Sequence, residues 1–225
     1  MKIIISPSKT KDFSPKHKFN DNLFPEKTLE LKKILDKLSN KELSKILKYT
    51  DIDKLDYSKK NMNAAIYTYN GLVFKNIDIA TLDANLSNLY ILSAYYGLLR
   101  AYDGISNYRL DMNNNIVKGS YKNMYDFWSN IYDYFINEDF VINLASKEYA
   151  KMINPINVIN IEFWTLKNGK FKQLSTASKI LRGKFARYIL ENNITKLDDI
   201  KKINIDNYKF SQSDSDNNNF IFKGE

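Results

Sequence analysis

The sequence predicts one compact α+β domain, in which helices and strands are mixed along a chain without a linker or an internal repeat. Three observations lead there. Short apolar, β-branched runs of strand length open the chain and return at 139–145 and 156–163. Apolar residues at helical spacing fill long stretches between and after them. At 225 residues and 44% hydrophobic content, the chain can bury one substantial core.

Taken in order, Lys2–Ile5 is a β-branched run and reads as a buried strand. Residues 13–25 form a polar, aromatic-dotted loop. From 26 to 61 the spacing of Leu29, Leu31, Ile34, Leu35 and Leu38, then Leu43, Ile46 and Leu47, is helical, with Ser39 or Asn40 capping the second helix. Residues 65–68 return to strand character. Residues 83–95 and 124–135 place Leu86, Leu89 and Tyr90, then Phe127, Ile131 and Phe135, on single faces and are read as helices. The runs 139–145 and 156–163 are strands. Trp164 to Lys172 around Asn168-Gly169 is a hairpin signal. A long helix follows over 175–192. The chain closes with strand-like 208–210 and 220–222, paired around the low-complexity loop SQSDSDNNN.

Composition bounds the chemistry. There is no cysteine, which excludes disulfides, zinc-thiolate sites and cysteine nucleophiles. The single histidine, His17, sits among lysines, reads as solvated loop and cannot build a multi-histidine metal site. Asp214 and Asp216 lie in a serine- and asparagine-rich loop that normally meets only water, so no metal and no cofactor are expected. Lys2 is followed by only three isoleucines, too short for a signal peptide, and no segment approaches a membrane span, so the expected location is cytoplasmic. The surplus of 34 Lys+Arg over 26 Asp+Glu gives +8, a balance suited to a polyanionic partner.

Four stretches carry candidate chemistry. The loop leaving the first strand, ISPSKT, offers Ser6, Ser8, Lys9 and Thr10 as phosphate donors. It lacks the glycines of a nucleotide-cradling loop, and a plain strand exit is the competing reading. LSAYYGLLRAYDGISNYRLDM sets Arg100 and Arg109 among Tyr95, Tyr96, Tyr102 and Tyr108. Those arginines either fix phosphates or pair with Asp103 and Asp111 in an aromatic turn. Between Phe163 and Leu190 there is no acidic residue but seven basic ones, including Lys172, Lys179, Arg182, Lys184 and Arg187. Ala177, Leu181, Phe185 and Tyr188 form its core stripe, and Gly183, between cations, is either a site of close phosphate approach or a tolerated glycine. In VINLASKEY, Ser146 is either a helix cap or a ligand contact, with Tyr149 nearby.

Together ISPSKT, LSAYYGLLRAYD leading to YRLDM, VINLASKEY and GKFKQLSTASKILRGKFARYILENNIT resemble the YaaA family of peroxide stress proteins, in the same order from Ile3 to Phe222. Two departures stand out. Gly71-Leu72-Val73-Phe74 replaces the family's usual Gly-Asp-Val-Tyr, and Ala101 stands where a proline is common after YGLLR. The resemblance implies a bacterial cytoplasmic protein that limits free iron and protects DNA under peroxide stress. It also implies an unusual mixed sheet surrounded by helices, a basic cleft and a helix-hairpin-helix that bind duplex or branched DNA. The helix-hairpin-helix is best placed over 194–208, although Asn204-Ile205-Asp206 stands where glycines are expected.

The leading expectation is a non-catalytic DNA-binding protein with no membrane or protein partner. Lys172, Lys179, Arg182, Lys184 and Arg187 would contact phosphates, with Arg100 and Arg109 as deeper anchors. The alternative is an enzyme acting on a nucleotide or nucleobase, its pocket drawn from Ser6, Lys9, Thr10, Tyr96, Arg109, Ser146 and Tyr149, with Asp103 as a candidate for acid–base work.

Overall fold

The computed structural model describes residues 1–14, 16–153 and 157–224. The chain runs β1 (Lys2–Ile5), α1 (Pro25–Leu35), α2 (Asn40–Leu47), β2 (Asn63–Ala64), α3 (Ala65–Thr68), α4 (Leu72–Ile77), β3 (Leu89–Ser93), β4 (Gly97–Arg100), β5 (Gly104–Ile105) and α5 (Met124–Phe127). It continues through β6 (Val141–Asn143), α6 (Lys147–Ala150), β7 (Val158–Lys167), β8 (Lys170–Lys172), α7 (Ser175–Glu191), α8 (Leu197–Lys201), β9 (Lys209–Phe210) and β10 (Asn219–Gly224).

Ile3, Ile4 and Ile5 are buried on both faces because β1 lies inside a sheet, with β3 and β6 as parallel neighbours. Beyond β6 come β7 and β10, also parallel. The margins are antiparallel: β4 beside β3, β9 beside β10, and β8 folded back on the far end of β7. The parallel centre therefore reads β3-β1-β6-β7-β10, so that in chain order its second strand is on the outside and its first and third are neighbours. That is a doubly wound order whose direction reverses between β1 and β6.

Local signals account for several boundaries. Pro25 occupies the first turn of α1, where its missing N–H costs nothing. Ser39 caps α2 in a capping box: its side chain accepts from Glu42 N, and the Glu42 carboxylate accepts from Ser39 N at 2.8 Å. Asn168 and Gly169 both take positive φ, 53° and 72°, the geometry of a two-residue hairpin between β7 and β8.

Tertiary packing overrides the local reading elsewhere. The helix expected over 83–95 is replaced by β3, every residue of which is buried between β1 and β4. A short, continuously apolar run fits helical spacing and a core strand equally well. The strand expected over 65–68 is a helical turn, because strand pairing with β5 stops at Ala64. The next two amides donate to the carbonyls of Asp103 and Ala101. The helix expected over 124–135 is α5 followed by a 3-10 segment, Ser129–Phe135. Of the expected strand over 156–163, Ile156 lies outside the described residues and Val158 onward is β7.

The helix-hairpin-helix expected over 194–208 is not formed there. After α8 the chain turns at Asp206 and Asn207, both at positive φ, with Tyr208 N donating to Ile205 O at 2.8 Å, and it enters β9 rather than a second helix.

On α7 the core stripe is Leu181, Phe185, Ala186 and Ile189, whereas Tyr188, expected in that stripe, is 38% exposed. Gly183 faces another helix, not a ligand. A Cβ there would stand 2.3 Å from Val73 O, so glycine is what lets α4 and α7 cross closely. No helix among the described residues is long and apolar enough to cross a membrane.

Candidate functional site

Where the strand order of a doubly wound sheet reverses, the connections leave on opposite faces and a crevice opens at the carboxyl ends of the strands. Here that point is occupied by Ser6, following β1, and by the segment after β6. Ser6 Oγ accepts the Ser146 backbone N–H at 2.8 Å and donates to Ser146 Oγ at 3.3 Å, tying the two strand ends together. Ser146 precedes α6 in extended conformation but makes no side-chain cap bond, so its hydroxyl serves the cleft rather than the helix.

The chain after Ser6 is held against 68–70. Asp12 N donates to Thr68 O at 2.8 Å, Asn70 N to Thr10 O at 3.0 Å, and Thr10 Oγ1 to Asn70 O at 2.8 Å. Ser8 and Thr10 share a 3.0 Å hydroxyl contact. Lys9 leaves this ribbon to pair with Asp111 at 2.8 Å.

The result is a cleft of about 440 Å³. Ser6 to Thr10 form one wall, Leu72 to Phe74 of α4 another, Ser146, Glu148 and Tyr149 the floor, and Lys179 and Arg182 of α7 the remaining side. Its volume lies in the range of small-ligand sites. Lys9, Lys179 and Arg182 bring cations to it, and Glu148 one carboxylate. Arg182 Nε is buried and, among the described residues, has no hydrogen-bond partner. Burial holds its guanidinium below the usual arginine range, and Glu162 opposes that shift.

A narrow cavity of about 60 Å³ leads off the floor, bounded by Lys9, Lys11, Arg109, Asp111 and Tyr149. Lys11 is the functional candidate that the sequence reading missed. Its ammonium donates to Tyr108 O at 2.7 Å and stands 4.2 Å from the Tyr108 ring centre. Burial first, and then the neighbouring Arg109 charge, lowers its pKa to about 7, against the opposing pull of Asp111. Arg109 lies 5.5 Å from the Tyr49 ring centre and 4.0 Å from Asp111, with its buried Nε unpaired among the described residues. Burial raises the Tyr149 phenol well above its ordinary value, so it stays protonated.

Several candidates converge here and others do not. Ser6, Lys9, Thr10, Ser146, Tyr149, Lys179 and Arg182 line the main cleft, and Arg109 the adjoining cavity. Tyr96 sits one layer behind, buried, sharing a 3.0 Å hydroxyl contact with Ser106 and packing edge-on against Tyr108. Arg100 and Asp103 form a structural pair away from the cleft: Arg100 Nε donates to Asp103 Oδ1 at 2.8 Å and its NH2 group to Asp21 O at 2.7 Å. Burial raises the Asp103 carboxyl, with the Arg100 bonds opposing.

Arg187 is spent on the end of α4, donating to Ile77 O, Asp78 O and Thr81 Oγ1 at 2.9–3.0 Å and pairing with Glu191 at 2.6 Å. Lys184 pairs with Asp206 at 2.5 Å. Lys172 is exposed on β8. Asp214 pairs with Lys223, and Asp216 accepts from Asn219.

A parallel-centred α/β sheet with a largely apolar cleft rimmed by cations and hydroxyls at its switch point defines the class of protein. Residues 1–214 match the family described as peroxide stress protein YaaA. A UPF0246 protein of Fusobacterium nucleatum is 37% identical over 99% of this chain and 98% of its own. A UPF0246 protein of Flavobacterium psychrophilum is 33% identical over 99% of each, and one of Clostridium botulinum is 31% identical over 99% and 98%. The chain belongs to the YaaA (UPF0246) family.

Proposed function

We propose that this protein serves the response to peroxide by holding DNA, with backbone phosphates seated in the cleft where β1 and β6 end. The peroxide role rests on the family's description. The DNA contact rests on one observation: Ser6, Lys9, Thr10 and Ser146 from the strand ends meet Lys179 and Arg182 from α7 around a single opening. Hydroxyls and cations on several elements can satisfy phosphate oxygens from more than one side. The contact surface is thereby narrower than the basic face of α7 suggests, since Lys184 and Arg187 are engaged with Asp206 and with the end of α4, and Lys9 would reach a phosphate only by sharing its charge with Asp111.

Fluorescence anisotropy across a salt series, on duplex, four-way junction and single-stranded DNA, tests the proposal. Replacing Lys179 with Ala and Arg182 with Gln should weaken binding on every sequence. The log–log salt slope should fall by about 0.9 for each duplex phosphate that the variant no longer neutralises. A slope equal to that of the unaltered protein would remove the cleft from DNA binding.

A specific observation favours a second reading, in which the same cleft acts on a nucleotide or nucleobase. Ser6, Lys9, Ser146 and Tyr149 enclose one cavity, and Lys11, with a pKa of about 7, lies in its narrow extension. A lysine poised there can exchange protons at neutral pH. Turnover of nucleotides that disappears in Lys11→Met would establish it.

A further inference from the structure

A second chamber of about 420 Å³ lies across β6 from the cleft. The segment leaving β6 divides the two: Leu144, Ser146 and Glu148 line the cleft, whereas Asn143, Ala145 and Lys147 line the chamber. The chain from Asn143 to Ser146 leaves the strand before α6 begins at Lys147, and together with the first turn of that helix it makes a low partition with a space on either side. Arg182 lines both spaces, and its Nε is buried and unpaired among the described residues.

The chamber wall is built in an unusual way. Asn143, Asn160 and Asn219 are in register on the three adjacent parallel strands β6, β7 and β10. Asn143 Nδ2 donates to Asn160 Oδ1 at 2.7 Å, Asn160 Nδ2 to Asn219 Oδ1 at 3.0 Å, and Asn219 Nδ2 to both Asp216 oxygens at 3.0 Å. A parallel sheet ordinarily covers such a face with apolar helix. Along β7, Asn160, Glu162 and Trp164 stay half-exposed while Ile161 and Phe163 on the other face are buried. The described part of the β6–β7 connection supplies only the four-residue α6. Amide rows of this kind hold donors and acceptors in a fixed plane; Asn160 Nδ2 spends its second hydrogen on Asn218 O at 3.3 Å, whereas Asn143 Nδ2 makes one bond within the row and has a second hydrogen to offer. Gln173 and Glu162 add a further amide and a carboxylate, and Ala150, Ile153 and Val158 add apolar wall.

We infer that the chamber is a nucleobase subsite: a nucleotide lies over the end of β6 with its phosphate in the cleft and its base against the asparagine row. Side-chain amides and carboxylates are the groups that read base edges, and the apolar residues accept a ring face. Arg182 then bridges phosphate and base. The inference rests on the phosphate reading of the cleft and adds the class of ligand. Two sources share this chemistry, a free nucleoside monophosphate and a nucleotide turned out of a DNA strand.

Calorimetry with the four common nucleoside monophosphates and with ribose 5-phosphate separates base from phosphate. At least one nucleotide should bind ten-fold or more tightly than ribose 5-phosphate. In Gln173→Ala and Asn160→Leu that advantage should shrink towards unity while ribose 5-phosphate affinity holds. Gln173 is exposed, so its variant keeps the test valid if Asn160→Leu fails to fold.

Duplex carrying 2-aminopurine supplies the second arm. Among the described residues no aromatic ring lines the chamber, so a base turned into it should brighten on binding, and Gln173→Ala should reduce the gain. A nucleotide preference without brightening assigns the site to free nucleotides, and brightening that depends on Gln173 assigns it to extruded ones. Equal affinity for ribose 5-phosphate and every nucleotide, with no brightening, overturns the base subsite and leaves the phosphate cleft standing. Absence of binding by ribose 5-phosphate, nucleotides and DNA alike overturns both.

Discussion

The backbone N–H of Ser146 donates to Ser6 Oγ at 2.8 Å, a bond that spans 140 residues of chain and closes the gap between two parallel strands at the point where they diverge. It makes one hydroxyl both a structural latch and the edge of the cleft, because the same Ser6 faces the space bounded by Lys179 and Arg182. Ser6→Ala should therefore lower stability by about 1 kcal/mol in urea denaturation, the worth of an ordinary internal hydrogen bond. It should also weaken DNA binding. Unchanged stability would show that Ser146 N finds another acceptor at no cost.

Arg187 and Lys179 lie on the same helix and should separate cleanly. Arg187→Ala removes four hydrogen bonds to Ile77, Asp78 and Thr81 at and beyond the end of α4, and ion pairs with Asp78 and Glu191. A drop of about 2 kcal/mol in denaturant midpoint analysis is expected, with the DNA salt slope unaltered. Lys179→Ala should do the reverse, shifting the slope and leaving the midpoint in place.

Gly183→Ala offers a test in which two effects oppose. Alanine gains roughly 1 kcal/mol of helix propensity over glycine. The added methyl would meet Val73 O at 2.3 Å, a backbone atom that cannot turn aside. Overpacking of this kind typically costs about 1–3 kcal/mol or more. The expected net effect is destabilisation by about 1–2 kcal/mol in chemical denaturation. A stabilised variant would show that α4 can slide on α7.

Lys11 gives the protein a pH signature. Its pKa is about 7 when folded, below the ordinary lysine value of 10.5, so between those limits the unfolded chain binds the proton that the folded chain has released. Folded stability is penalised in full below about pH 7 and recovers as pH rises towards 10.5. Lys11→Met should be more stable than the native chain at about pH 6, and the difference should shrink steadily up to about pH 10. Burial sets most of the midpoint; Arg109, which faces the amine, lowers it further and Asp111 raises it. Parallel stability curves for the two proteins would place the Lys11 amine in solvent.

Features decided by near neighbours were legible in the sequence. The Ser39–Glu42 capping box, the Asn168-Gly169 hairpin, the isoleucine strand and the long α7 each depend on residues a few positions apart. The motifs holding Ser6, Lys9, Thr10, Ser146 and Tyr149 were visible as unusual strand exits, and their gathering into one pocket was the alternative reading, although the sequence could not show the α7 side of that pocket. Leu89 to Ser93 misled because burial on both faces erases the alternation that marks a strand. Gly183 misled because its partner, Val73, is 110 residues away.

The sequence by itself determined that the protein is a mixed α and β chain with cations and hydroxyls concentrated at a few strand ends, since composition and local periodicity carry that much. Only the tertiary structure decided which cations are available. It spent Arg187 on Ile77 and Asp78, Lys184 on Asp206 and Arg100 on Asp103, and left Lys179 and Arg182 beside Ser6 and Ser146. The physical reason is strand order. Placing β1 next to β6 brings residues 140 apart within hydrogen-bond reach, and no local preference of either segment contains that adjacency.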